Sequence, residues 1–438
     1  MYFLYSVLTA VGMALLAPYY VLRGLKRGKP FENFGERMGY LPAELGRGVP
    51  AGTAIWVHAV SVGEVLAAKP LVEAMKNRFP GAPIVLSTTT VTGQQVARER
   101  IAADATFYFP FDWAAPVQRA FERIRPALVV ILETEIWPNF LREADRRDVP
   151  VAFVNSRISE RSFARFRRFE AFIGGFFRDA LHKADLFLAQ SDEDARRLAA
   201  MGAPEERIEV TGNLKYDHEP PKQSAFGEWL ATQIAAQERW PVLVAGSIAA
   251  GEEEAVLAAY DLVQRQWRRA LLILAPRKPD RFTRAAEIAE QDGWAVQRRS
   301  KINANAAFDE NCEVIVLDSI GELAGLYALG DVTFVGGSLV PVGGHNILEP
   351  AWFCKAPIFG PFMENFREMA ARFSSAGAGM QVASGDKLGK AWCELIADPA
   401  RRERMGKKAR ALVEANRGAT MRSLERIGAI LEAHRGAL

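Results

Sequence analysis

Val335-Gly-Gly-Ser-Leu-Val-Pro-Val-Gly-Gly-His-Asn-Ile-Leu-Glu-Pro350 places two glycine pairs, a histidine, an asparagine and a glutamate in one short stretch. The apolar run 332–335 leads into it, which predicts a buried strand, a glycine-rich turn and a helix start near Asn346. Glycine lets backbone amides come close to a ligand, and a helix N-terminus draws in an anion. The polar side chains that follow suit a sugar ring. The stretch points to a nucleotide or sugar-phosphate pocket. An ordinary strand-to-helix turn of an α/β domain would carry the same glycines, so the decision rests on what surrounds it.

The same alternation runs through most of the chain. Apolar runs of strand length stand at 54–59, 84–87, 106–109, 128–132, 151–154 and 186–189, with helical patterns over 65–78 and 93–103. After the polar stretch Glu219-Pro-Pro-Lys222 the pattern restarts, with strands expected at 242–245, 270–275, 314–317, 332–335 and 357–359. Helical patterns cover 252–264, 281–292 and 401–415, and a last one covers 421–432. Strands alternating with helices predict an α/β fold with two largely parallel, doubly wound sheets. Ligands of such sheets sit beyond the carboxyl ends of the strands, so a cleft between two such domains is expected.

Composition agrees with two domains. The chain has 438 residues, 49% of them hydrophobic and 24% charged, enough apolar material for two cores. A net charge of +3 is too small to argue for nucleic acid. Cys312, Cys354 and Cys393 show no metal-ligand spacing and no disulfide framework, which fits a reducing compartment.

Residues 2–22 carry no charge, and Arg23, Lys26, Arg27 and Lys29 follow at once. Twenty-one residues at helical rise reach about 30 Å, the thickness of a bilayer core. The basic flank lies after the apolar stretch, which places the bulk of the chain on the cytoplasmic side. A signal peptide would carry its basic region before it. Pro18 and two tyrosines near its end allow a second arrangement, a helix lying in the membrane interface.

Read together, several motifs resemble the 3-deoxy-D-manno-octulosonic acid (Kdo) transferases of lipopolysaccharide synthesis. They are Phe34-Gly-Glu-Arg-Met-Gly39, His58-Ala-Val-Ser-Val-Gly-Glu64, Glu133-Thr-Glu-Ile-Trp-Pro-Asn139, Asn155-Ser-Arg157, Thr211-Gly-Asn-Leu-Lys215, Ala275-Pro-Arg277, Gly321-Glu-Leu323 and the 336–350 segment. Each alone is weak; their order and combination are specific, and they cover nearly the whole chain. The resemblance implies the GT-B glycosyltransferase fold, two Rossmann-like domains facing a cleft. It implies inverting transfer of Kdo from CMP-Kdo to a lipid A precursor of the lipid IVA type, at the cytoplasmic face of the inner membrane. The expected boundaries are an anchoring helix over 1–22, an acceptor-binding domain over 23–218 and an interdomain region over 219–238. A CMP-sugar-binding domain over 239–420 and a C-terminal helix over 421–438, free to cross back to the first domain, complete the chain.

An inverting transfer needs a base for the acceptor hydroxyl. Glu64 follows the first strand, where a helix begins, and the family's catalytic base falls on it. Ser61 and Glu64 also stand in capping-box spacing, so a purely structural role has the same signature. His58, at the strand end, is expected either to touch the sugar or to orient a neighbour. Glu133 and Glu135 follow another strand and resemble an acidic motif lining the acceptor side, with Ser61 and Arg157 placed beside them. Alternation puts the two glutamates on one side if the strand continues.

On the donor side the phosphate needs positive charge. Arg277 follows a strongly apolar strand, and its planar fork suits phosphate; Lys215 can meet the same charge. Lys278 stands where the family often has histidine, which preserves charge and leaves the base contact open. Asn346 and Glu349, three apart on a helix, suit the vicinal hydroxyls of ribose. The backbones of Gly336, Gly337 and Ser338 are expected to line the phosphate pocket, and Ile320 with Gly321 resembles the segment that receives cytosine. No paired-aspartate motif stands near these groups, so no metal and no cofactor beyond the donor substrate is expected.

Arg157, Arg161, Arg165, Arg167 and Arg168, interleaved with Phe163, Phe166 and Phe169, have the composition of a surface that sits on anionic headgroups, with Arg37 on the same side. No module for nucleic acid accompanies them, and no obligate protein partner is expected. Two other readings share these features: a GT-B transferase using another sugar nucleotide, and a membrane-tethered nucleotide-sugar-binding module without turnover.

Overall fold

The computed structural model describes residues 1–25, 33–42, 45, 50, 52–303 and 308–436, with the side chains of 18–25 and 435–436 outside that description. The chain divides into two compact units, Met1–His218 with Asn416–Leu438, and Glu219–Ala415. Each is built on a seven-stranded, all-parallel sheet.

The first sheet has strands β1 (Ala54–His58), β2 (Ile84–Thr88), β3 (Ala105–Tyr108), β4 (Pro126–Leu132), β5 (Val151–Ser156), β6 (Leu186–Ala189) and β7 (Ile208–Val210). Their order is β3-β2-β1-β4-β5-β6-β7. Both faces are covered, so the strands read as continuous apolar runs. Trp56, Val129, Ile131 and Phe153 turn to one core and Ile55, Val57, Leu128 and Val130 to the other, the period of two expected of a strand. The order reverses between β1 and β4, the switch point at which doubly wound sheets hold their ligands.

The second sheet has β8 (Val242–Ile248), β9 (Leu271–Pro276), β10 (Val296–Arg298), β11 (Val314–Val316), β12 (Val332–Val335), β13 (Pro357–Phe359) and β14 (Met380–Gln381). Its order is β10-β11-β9-β8-β12-β13-β14, reversing between β8 and β12. The short strands β7, β10 and β14 are absent from the sequence reading. They lie at sheet edges, have two or three residues and are only partly buried, so they lack the apolar run by which a central strand is recognised.

The units differ from the expected boundaries at two places. Residues 219–238 belong to the second unit, because the helix Ala225–Ala236 buries Phe226 and Leu230 there. The last helix, Ala419–Gly436, returns to the first unit and starts before 421. Ala419, Leu424, Ile427 and Leu431 join the core beneath β1. Asp217 accepts from Gly418 N at 2.6 Å and from Thr420 N, capping the helix start.

The N-terminal helix Tyr2–Leu25 is longer than the 1–22 segment expected, and it is two-faced. Tyr2 donates to Asp179 Oδ2 at 2.6 Å, Ser6 Oγ accepts from Asn139 Nδ2 at 3.0 Å, and Thr9 Oγ1 accepts from Trp113 Nε1 at 3.1 Å. The opposite stripe, Leu4, Leu8, Val11 and Leu15, is exposed, flanked by Phe3 at 82%. Among the described residues no helix is long and apolar enough to cross a membrane. The inward edge of the helix is spent on polar contacts with the protein, which leaves a one-sided apolar helix. Lys26, Arg27 and Lys29 lie outside the described residues, as does the side chain of Arg23.

Candidate functional site

Glu64 sits in the first turn of the helix Val62–Arg78, in the connection from β1. Its Oε2 accepts from Val60 N at 2.7 Å and its Oε1 from Ser61 Oγ at 2.8 Å. This is not a capping box, because the Ser61 side chain caps no backbone N–H and instead donates to the carboxylate. Burial, then the charge of Glu133, raises the Glu64 pKa to about 7, against the opposing pull of these two donors. A carboxylate poised there is suited to take a proton near neutral pH.

Glu133 and Glu135 lie in the loop after β4, on the other side of the switch point. The strand ends at Leu132 and Glu133 takes a left-handed φ of 56°, so strand alternation does not continue through them. Burial and Glu133 raise Glu135 to about 7 as well. Lys215 Nζ stands 3.9 Å from Glu133 Oε1, which places this lysine on the acidic loop of the first unit. Arg157 is joined to the same loop through Thr134, whose hydroxyl donates to Arg157 O at 2.9 Å and accepts from Arg157 N at 3.0 Å. Asn155 forms a bulge at the end of β5 with φ 59°, a conformation that asparagine tolerates, and its Oδ1 accepts from Leu214 N at 3.0 Å. The sequence motifs around Glu64, Glu133, Arg157 and Lys215 are thus gathered at one end of one sheet.

His58 does not reach into this group as a sugar contact. It is fully buried, stacked on Phe109 at 3.9 Å, with Nδ1 2.9 Å from Ser87 Oγ. Burial holds it neutral, with a pKa lowered to about 3. Its contacts are with Ser87 on β2 and with Phe109, inside the first unit. Arg37 is likewise turned inward rather than toward a membrane. It donates to Thr89 O and lies over the Tyr108 ring at 4.9 Å.

In the second unit Arg277 follows β9, and Lys278 beside it is exposed, as Arg277 is. His345, Asn346 and Glu349 follow β12. The helix begins at Leu348, two residues later than expected, because Asn346 accepts from Leu348 N at 3.2 Å and precedes the turn instead of forming it. Asn346 Nδ2 is still 3.5 Å from Glu349 Oε1. Burial raises Glu349 to about 7, opposed first by Arg277, and burial with the Arg277 charge lowers His345 to about 4. The Arg277 charge therefore acts on both His345 and Glu349. Ile320 is exposed beside Gly321, whose φ of 94° makes the turn before the helix Leu323–Leu326.

One expectation for this unit is overturned. The amides of Gly337 and Ser338 do not stand open to phosphate; they donate to the Glu252 carboxylate at 2.6 and 2.9 Å. Gly336 is packed against Ser247 and Glu252, and Ser338 is fully buried, its hydroxyl donating to Val335 O and accepting from Gly360 N.

Comparison with known proteins gives the chemistry a family. Residues 32–218 match the family model described as 3-Deoxy-D-manno-octulosonic-acid transferase (kdotransferase). A 3-deoxy-D-manno-octulosonic acid transferase of Haemophilus influenzae is 32% identical over 437 residues, 98% of this chain and 99% of that one. The chain belongs to the Kdo transferase family. The corresponding transferase of Bordetella pertussis is 34% identical over 88% of this chain and 90% of its own. A glycosyltransferase structure from Rickettsia africae superposes with a TM-score of 0.57 at 14% identity, covering 86% of this chain and 98% of that one. That likeness concerns the fold, which is GT-B.

Two residues of this Kdo transferase escaped the sequence reading. Thr134 was visible only as the middle of an acidic motif, and Glu252 only as the first of three glutamates at a helix start. Each acts through a contact distant in the chain, which no local pattern records. The arginine-rich helix Glu160–Leu181 needs a partial correction. Phe166 is buried and Phe163 packs on the same core, whereas Phe169 and, at 80%, Phe172 are exposed beside Arg161, Arg165 and Arg168. Tyr2 of the N-terminal helix packs on Phe176 of this helix at 5.0 Å, which sets the two side by side.

Proposed function

We propose that this Kdo transferase takes the sugar from CMP-Kdo and places it on a hydroxyl of a lipid A precursor, with inversion at the anomeric carbon. The observation that carries the mechanism is Glu64, a buried carboxylate held by two donors at a switch point, with a pKa near neutrality. Glu64 takes the proton of the acceptor hydroxyl as its oxygen bonds to the anomeric carbon. The carbon–oxygen bond to phosphate breaks, and CMP leaves with the electron pair. Glu133, Glu135 and Arg157 bind acceptor hydroxyls or phosphate beside the base, and Lys215 supplies positive charge there. Arg277 meets the phosphate of the leaving group, with Lys278 adding charge. Asn346 and Glu349 bind the ribose hydroxyls, and Ile320 with Gly321 receives the cytosine.

The reaction needs no metal in this reading. A single phosphate leaves, and cationic side chains meet the charge that a metal would otherwise neutralise. The deciding experiment incubates the protein with CMP-Kdo and a lipid A precursor after exhaustive chelation. CMP release with a matching mass gain on the lipid is expected; the mass also counts the Kdo units added. Binding without release would favour a tethered binding module, and activity restored only by a divalent cation would refute the metal-free mechanism.

The enzyme works, we infer, at the cytoplasmic face of the inner membrane without crossing it. The outward stripe of the N-terminal helix and the exposed Phe169 and Phe172 offer apolar surface, with Arg161, Arg165 and Arg168 for anionic headgroups. Deleting the helix would uncover Trp113, Asn139 and Phe176, so substitution of its outer face is the cleaner test. Leu4→Ser, Leu8→Ser and Leu15→Ser together should leave CMP binding intact and shift the protein from floating with anionic vesicles to the soluble fraction. The residual attachment should fall further with salt, which screens the arginines. Undiminished flotation at high salt would refute this docking face.

A further inference from the structure

Four backbone N–H groups converge on one buried carboxylate in the second unit. Glu252, fully buried, accepts at Oε1 from Ser338 N at 2.9 Å and Leu339 N at 2.7 Å. Its Oε2 accepts from Gly337 N at 2.6 Å and Ala249 N at 2.8 Å. Three of the donors lie in the glycine-rich loop after β12 and the fourth in the loop after β8. These loops flank the reversal of strand order, the place where a doubly wound sheet holds its ligand. Successive N–H groups turned toward one point make an anion nest of the kind that cradles phosphate. Here the nest holds the protein's own anion.

Neighbouring residues are fitted to that arrangement. A Cβ on Gly336 would lie 2.7 Å from Ser247 O and 2.8 Å from Glu252 Oε2, so only glycine lets the two loops approach this closely. Gly337 has φ 65°, and a Cβ there would meet the His345 ring at 2.7 Å. The segment carrying His345, Asn346 and Glu349 therefore rests on the loop that Glu252 holds. Glu253, also fully buried, accepts from Gly251 N at 2.8 Å and from Arg281 Nη2 at 2.7 Å. Arg281 stands just beyond Arg277 in the connection after β9. Two consecutive carboxylates thus fix the loops after β8, β9 and β12.

We propose that Glu252 is a positioning residue for nucleotide binding, a built-in anion that fills the nest and holds in place the loop bearing His345, Asn346 and Glu349. The proposal rests on the reading that the second unit binds CMP. It assigns the phosphate of the ligand to side chains such as Arg277, because the loop amides are already occupied from within.

Removing the side chain leaves a carboxylate-sized space lined by N–H donors, which a small carboxylate can refill. The test is calorimetric titration of CMP into the full-length wild type, Glu252→Ala, Glu252→Gln and, as a control, Glu254→Ala on the exposed side of the same helix. Absence of CMP binding by the wild type would overturn the functional reading itself. Given wild-type binding, Glu252→Ala should bind CMP roughly tenfold or more weakly. Formate should restore the affinity, and chloride at equal ionic strength should not. A loss that formate does not repair, or that chloride repairs equally, would overturn the proposal. Glu252→Gln keeps the shape but turns an amide NH2 against two N–H donors, so it should lose affinity without formate rescue; affinity within about twofold of wild type would overturn the proposal. Should neither variant fold, amide exchange in the nucleotide-free wild type decides. Gly337, Ser338 and Leu339 should already exchange slowly, and fast exchange that slows only on adding CMP would show the nest to be a phosphate site instead.

Discussion

Glu64→Gln should leave the protein folded and able to bind CMP, yet cut transfer by about 10²–10⁴-fold, the usual worth of a positioned general base. The amide keeps the shape and can still accept from Val60 N, but it cannot take a proton. The effect should fall on turnover far more than on substrate affinity, since the proton moves only in the reacting complex. The wild-type rate should rise with pH through about 7 and then level, as Glu64 deprotonates; the glutamine variant should lack that limb. Linkage gives an independent sign. The folded-state pKa of Glu64 lies above its ordinary value of 4.5, so the fold binds this proton more tightly than the unfolded chain does. Its protonated form favours the fold, and that contribution is lost as pH rises from the unfolded value through about 7. Glu64→Gln should therefore be at least as stable as wild type at pH above about 7 in thermal unfolding. Near-normal turnover in a quantitative transfer assay would remove Glu64 from the role of base.

Arg277→Ala should weaken CMP binding by about 10–100-fold, the loss of one or two charge-assisted hydrogen bonds to phosphate. The fold should survive, because the side chain is exposed at the end of β9 and carries no core packing. Arg277→Lys should recover part of the loss, keeping charge without the planar fork. A second readout follows from the electrostatics. Arg277 helps to hold His345 down near 4 and opposes the rise of Glu349, so its removal should move both groups upward. An NMR titration of the His345 ring would register this without any ligand. Unchanged CMP affinity would separate Arg277 from the nucleotide site, even if the histidine shifts as expected.

Two of the carboxylates near neutrality, Glu64 and Glu349, illustrate what each level of description contributes. The sequence places both at helix starts after apolar strands, and a helix-start glutamate by itself is an ordinary sight. Their raised pKa values come from burial first, a property of packing. Glu133 adds its charge to Glu64 only because β4 lies beside β1 in the sheet, although they are not consecutive in the chain.

Chain order and periodicity by themselves determined the α/β class, the two parallel sheets and nearly every central strand. A buried parallel strand writes itself as an apolar run, and a helix as a period near four, so these features are local and legible. The order of the motifs was also enough to point to the family. Tertiary structure alone decided which groups are spent inside the molecule. Glu252 fills the glycine nest from 85 residues away, His58 is shut beneath the first loops by Phe109 and Ser87, and Arg37 is drawn in to Thr89. It likewise turned the polar edge of the N-terminal helix onto the protein and its leucines outward. These outcomes depend on contacts between residues remote in sequence, where burial and hydrogen-bond partners are set jointly by the fold and by no residue's immediate neighbours.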